Sequence, residues 1–314
     1  MFSYFPSGDG RHILSVLPPK GVSVYGSKVI DRDGPKGEIT DTEMENIIAQ
    51  AIWKMFDEER GAFASRLDIS DMDVSLVDAR ILNIRLDGNL VVNPIGFTAK
   101  KIEISLVETL VSRDLADAVK LAHPKKGETI FTLEPSASCA WLIHKSVKHK
   151  DFLFANVSKD KTFIYRSEDT GRISYLSDFG WGSDNASAVF SADLSVSESV
   201  ARDLLRRFAR GNMSPEMTKA MRVSASRSLA DFVKGVSFAT RNVKIKRPLV
   251  YVLSDDLAEL EPKTVSWGEG APKFDFLPSV SGDEIARNEM EAADIDSAWN
   301  KIARRRMKWL TCGR

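Results

Sequence analysis

The stretch that most limits what this chain can become runs from Thr40 to Phe56. Thr40 followed by Glu43 reads as a capping box, and Met44, Ile47, Ile48, Ala51, Ile52, Met55 and Phe56 then recur at helical spacing. A helix with one such apolar stripe has to bury it. The stretches on either side carry a different period. VSVYGSKVI (22–30) before it and DVSLVDARILNIRLDGNLVV (73–92) after it are rich in β-branched residues and alternate in places. A helical pattern between two strand patterns predicts a helix laid on a sheet.

The alternation of period continues along the chain. ILSVL (13–17) predicts an earlier strand, parted from the next by Pro18 and Pro19. Asp87-Gly88-Asn89 is a hairpin signal, NPIGF (93–97) a turn, and KIEISLVETL (101–110) a strand. A helix over about 112–121 and a strand over 129–133 follow. A second unit begins near 129, where the strand leads to a helix at about 135–145. Strands are then predicted at 152–157, 161–166 and 172–177, with helices at about 181–190, 196–210 and 214–240. PLVYVLS (248–254) reads as a buried strand, and the Pro, Gly and Glu between 259 and 290 read as loop and linker.

Composition narrows the function. A chain of 314 residues has room for two modest domains or one divided domain. Lys plus Arg (44) equals Asp plus Glu (44), which argues against a body that grips nucleic acid over a broad surface. Cys139 and Cys312 have no paired spacing, so neither a disulfide framework nor a zinc site is expected, and a reducing, cytoplasmic setting is the default. No charged region followed by an apolar run marks a signal peptide, and no apolar run approaches the roughly 20 residues of a spanning helix. A membrane would be met from its surface. His144 and His149 lie five apart in IHKSVKHK, which is not the spacing of two metal ligands on one helical face. Asp71 and Asp73 read as turn and cap residues rather than an acid–base pair. Neither a catalytic group nor a metal site is expected. RDLLRRFAR (202–210) reads as a solvated basic face.

Three segments together resemble the bacterial actin-like family of FtsA and PilM. EITDTEMENIIAQAIWK (38–54), with VSLVDARILNIRLDG and NPIGFTAKKIEISL after it, looks like that family's inserted strand-helix-strand-strand subdomain. LEPSASCAWLIHK (133–145) looks like its strand-to-helix step, with Glu134, Pro135 and Ala137 at matching places. The basic, aromatic end looks like the membrane-targeting helix of FtsA. The resemblance implies an α/β fold with an actin/Hsp70-like ATPase-type core, incomplete at the N-terminus. The expected divisions are a remnant strand of the core (1–19), the inserted subdomain (20–122), the core (123–258), a loop and linker (259–294) and an amphipathic helix (295–314).

The same resemblance implies where a nucleotide would sit, and there the sequence departs from the family. Its first phosphate hairpin would precede the inserted subdomain, before this chain begins. Its second is a glycine-containing turn, and here the chain reads Ala155 to Thr162 without a glycine. Glycine there lets backbone amides approach a phosphate closely. Lys159 or Lys161 would supply charge without that geometry. The adenosine turn reads Ser254-Asp255-Asp256, placing two carboxylates where glycines are expected. Gly180 and Gly182 flank Trp181 in the segment that matches the place where actin-like proteins read IPIGG before a helix, and a core-packed Trp181 is favoured there over a ligand contact. Asn156, Ser158, Lys159, Lys161, Thr162, Gly180, Gly182 and Ser254 thus outline a degenerate nucleotide site. No cofactor is expected, and ATP with Mg would bind only if that site still holds it.

On a helical wheel Trp299, Ile302, Ala303, Met307, Trp309 and Leu310 share one side, with Arg306 intruding. Lys301, Arg304, Arg305 and Lys308 gather opposite. Such a helix suits an anionic membrane surface. The alternative is that its apolar face docks on the protein's own core. RRRMKW resembles part of a homeodomain recognition helix, but Arg304 stands where that family reads adenine with Asn, so no nucleic-acid partner is expected. The combined expectation is an FtsA/PilM-type scaffold, peripheral on the inner face of the cytoplasmic membrane and free of ATPase activity. Its partners would be division or pilus-assembly proteins and further copies of itself.

Overall fold

A computed structural model describes residues 3–6, 11–32, 37–121, 129–209, 211–243, 245, 249–254, 273–277 and 297–312. The chain divides into two compact units. The first comprises Met1–Ser146, Thr170–Ser174 and Gly282–Arg314, and the second Val147–Asp169 and Tyr175–Ser281.

In the first unit, α1 (Asp41–Leu67) begins where the Thr40 hydroxyl accepts the Glu43 N–H at 3.2 Å. It ends at Asp68, in the left-handed conformation. Its predicted stripe is buried from Met44 to Phe56. It lies against an antiparallel sheet of β3 (Gly21–Asp31), β6 (Lys101–Ser112) and β4 (Val74–Leu86), in that order. The predicted hairpin turns at Asp87 and Gly88, with φ of 46° and 89°, the positive pair that a two-residue hairpin requires. The strand after it, β5 (Asn89–Val91), covers the outer edge of β4 only opposite Ile84, Arg85 and Leu86. Asp87 also accepts the Lys100 and Lys101 amides, and these bonds hold its carboxyl below the usual range.

A separate three-stranded sheet is formed by β1 (Ser3–Pro6), β2 (Arg11–Ser15) and β7 (Thr129–Leu133), with β2 and β7 parallel. Parallel neighbours need a crossover, and here it is everything from β3 to α2 (Arg113–Leu121). The strand-helix-strand-strand part is therefore an insertion between two adjacent strands. Next comes α3 (Pro135–Ser146), capped by the buried Glu134 carboxylate, which accepts the Ser136 and Ala137 amides at 2.8 and 2.9 Å. Within this unit Ile173 pairs with Tyr25, whose ring stacks on Trp141.

The second unit contains β8 (Phe152–Val157), β9 (Thr162–Ser167), β10 (Ile173–Phe179) from Tyr175 onward, α4 (Ser183–Leu194), α5 (Glu198–Ala209), α6 (Pro215–Ala239), β11 (Leu249–Ser254) and β12 (Lys273–Phe276). Its strand order is β12-β11-β8-β9-β10. β8 and β9 are antiparallel, whereas β11 runs parallel to both β8 and β12. Leu153, Ile164, Phe190, Phe232, Val252 and Phe274 join in one buried core between sheet and helices. The fold is mixed α/β, as expected.

β7 and α3 fall in the first unit together with the inserted part. Two details differ from the sequence reading. Residues 1–19 hold two strands where one was expected. The stretch read as loop and linker contains β12, whose four residues are held by parallel pairing with β11. Asp255, Asp256 and most of 259–294 lie outside the described residues.

Candidate functional site

The carboxyl ends of β8 and β11 gather the residues expected around a nucleotide, which is where open α/β sheets place ligands. Val157 pairs with Ser254 at the end of these two strands, and Asn156 with Leu253. Ser158 opens the turn into β9; its N–H donates to the Lys161 carbonyl at 2.8 Å, and its hydroxyl accepts the Lys161 N–H at 3.2 Å. Lys161 is paired with Asp178 at 3.0 Å, and the Tyr175 hydroxyl donates to that same carboxylate. Lys159 is exposed. Thr162 donates to the Trp181 carbonyl at 2.7 Å. The Trp181 ring is buried against Phe232, with ring centroids 4.9 Å apart, so the packed reading of that turn holds; Gly180 beside it is exposed.

The first turn of α4 decides what this end of the sheet can do. A helix start offers four free backbone N–H groups and a positive dipole end, the usual cradle for phosphate. Here the chain itself takes all four. Ser183 donates to the Ser158 carbonyl at 3.0 Å and Asp184 to the Lys159 carbonyl at 2.8 Å. Asn185 donates to the Gly182 carbonyl at 3.1 Å. The Asn185 side chain returns to the Gly182 N–H at 2.8 Å. Gly182 is needed for the close approach: a Cβ there would stand 2.3 Å from the Lys159 carbonyl oxygen. The glycine that suggested a ligand instead lets the turn of its own chain plug the helix.

The terminal helix, α7 (Ala298–Cys312), belongs to the first unit. Ser297 precedes it and its hydroxyl accepts the Asn300 N–H at 3.2 Å. Asn300 and Ala303 are buried. The Asn300 side chain accepts the Ile81 N–H at 2.7 Å and donates to the Ile81 carbonyl at 3.4 Å. The Trp299 indole donates to the Val92 carbonyl at 3.0 Å. Arg305 and Arg306 both pair with Glu45 of α1, Arg306 at 2.9 Å. Arg304 lies near buried Asp78, where burial raises the carboxyl above its ordinary value and the charges of Arg80 and Arg304 oppose that rise. Ile302 and Met307 are half-buried, and the side chains of Lys308, Trp309 and Leu310 lie outside the described residues. The docked alternative thus describes the first turns of this helix. Sequence reasoning missed Asn300 and Glu45; an Asn at the margin of the predicted apolar arc, next to Met307 on the wheel, was the available signal.

Beside α7 a cavity of about 870 Å³ is lined by Ile81, Leu90, Val92, Trp141, Trp299 and Asn300, among others. Leu90 and Val92 are exposed at 65% and 92%, so an open strand edge and two indoles frame an apolar groove. Among the described residues no three metal-binding side chains cluster, and no helix is long and apolar enough to cross a membrane.

No family model matches the chain, and no curated protein matches it. Solved structures do align with it. A PilM–PilN type IV pilus biogenesis complex matches at 13% identity and a TM-score of 0.38, covering 94% of this chain and 78% of that one. The ethanolamine utilization protein EutJ from Carboxydothermus hydrogenoformans matches at 18% identity and 0.36, covering 51% of this chain and 56% of that one. A Bacteroides thetaiotaomicron protein with an actin-like ATPase fold matches at 8% identity and 0.36, covering 88% and 72%. With TM-scores below 0.5, these likenesses bear no functional weight.

Proposed function

We propose that this chain is an actin-like scaffold of the FtsA/PilM type that works without hydrolysing ATP. It holds partner proteins at the inner face of the cytoplasmic membrane, in pilus assembly or in division. The strand order of the second unit supports the actin-like part: β8, β9 and β10 are neighbours in sequence order, and β11 and β12 return in parallel on the other side of β8. The insertion between β2 and β7 supports the subdomain assignment. The groove lined by Trp141, Leu90 and Val92 offers an apolar segment of a partner both a strand edge and aromatic surface. The basic residues of α7 supply the attraction to an anionic membrane.

One observation carries the loss of nucleotide chemistry. All four amides that open α4 are satisfied within the chain, two of them by carbonyls of the glycine-free turn. A phosphate would have to expel those carbonyls and desolvate in their place. The test is the melting temperature in millimolar Mg-ATP. A ligand present at a hundred times its Kd would add about 2.7 kcal/mol of stability. The expected result is no shift. A saturable rise of several degrees would establish an ATP-binding protein with degenerate loops and end the scaffold-only reading.

A further inference from the structure

We propose that α7 is a latch that an anionic lipid surface opens. This rests on the membrane role given to α7 above and adds how that role is controlled. The residues that lipid would recruit are those that now hold the helix down. Trp299 would sit in an interface, yet its indole N–H is given to the Val92 carbonyl. Arg305 and Arg306 would meet lipid phosphates, yet both are given to Glu45. One side chain cannot serve both surfaces, so docking and membrane capture exclude one another, and each weakens the other by the same factor.

The dock is built to release. Asn300 acts as a single peptide group from a missing neighbour strand: its amide both accepts from and donates to Ile81. That contact falls where β4 departs from regular register between Ile81 and Asn83, beyond the short reach of β5. Around it the helix depends on ion pairs of partly exposed side chains, which contribute little and weaken with salt. Phosphates offer arginine the same forked acceptor that a carboxylate does, at far higher local concentration on a bilayer. The surface that lipid uncovers comprises the Ile81 edge of β4, the Val92 carbonyl and the Glu45 carboxylate.

Flotation of the full chain with phosphatidylglycerol-containing vesicles tests this. The chains compared are the intact protein, Glu45→Gln, Asn300→Ala, and the parent and Glu45→Gln sequences ending at Asp294. Both substitutions should raise the vesicle-bound fraction about fivefold over the intact protein, with far-ultraviolet circular dichroism unchanged. No chain ending at Asp294 should float. In the intact protein, vesicles should also speed hydrogen exchange at the Ile81 amide, which Asn300 now protects. If the intact protein and both variants float equally, and Ile81 stays protected, the membrane role stands but the latch is refuted. If nothing floats, the membrane role fails and the latch with it.

Discussion

Glu108 lies in the middle of β6 among buried Leu106, Val107 and Leu110, and neither of its carboxyl oxygens has a hydrogen-bond partner. Burial pushes it well above the ordinary glutamate value; Glu59 and Glu58 of α1 add to the rise, and Lys28 of β3 opposes it. The folded protein therefore keeps this proton where the unfolded chain has lost it. Stability is full below the unfolded value near 4.5 and falls as pH rises toward the folded one, by up to about 1.4 kcal/mol per unit of pH. Glu108→Gln, neutral at every pH, should melt higher than the parent at pH 8 and level with it near pH 4. A gap of equal size at both would mean the side chain is ionised in the fold. Cys139 is silent for a related reason: burial, with Glu134 nearby, pushes its thiol up to about 12, which leaves almost no thiolate at neutral pH.

Elements were legible where a local rule governs them. α1, the Asp87-Gly88 hairpin and β8 follow from a stripe, a turn pair and a short apolar run, all contained in adjacent residues. β12 was not legible, because the alternation of KFDF lasts only four residues inside a Pro- and Gly-rich stretch, and its extended form is held by pairing with β11. The site was half legible. Ser158, Gly182 and Ser254 do lie at one end of the sheet, but the role of Gly182 is set by the carbonyl of Lys159, which no local pattern reveals. Likewise the wheel of α7 states which residues share a face and not what that face meets. Gly182→Ala should cost about 1–3 kcal/mol, since the added carbon meets backbone rather than a yielding side chain. Lys159→Ala should stay within about 0.5 kcal/mol, because that position contributes its carbonyl while its side chain is exposed. Equal melting temperatures for the two variants would contradict the plug.

Each unit of the whole molecule is assembled from distant stretches of chain, and the first is completed only by residues near the C-terminus. Cutting the chain at Asp294 removes the two bonds of Asn300 to Ile81 and the pairs of Arg305 and Arg306 with Glu45. That should lower stability by about 1–3 kcal/mol, with exchange rising in β4 and β5 and at the start of α1. Unchanged protection at Ile81 would show that α7 is not what shields this edge. The insertion between β2 and β7 has a consequence of its own, which concerns time rather than energy. β2 leaves the ribosome long before β7, so its pairing edge must wait while β3 through α2 are made. Closing so long a loop is slow unless the intervening chain has already condensed and brought its ends together. The inserted subdomain is thus the clasp of the small sheet, bonded to β7 through Asp78 and Thr109, and a defect that delays it would surface as misfolding of the β2–β7 pair outside it.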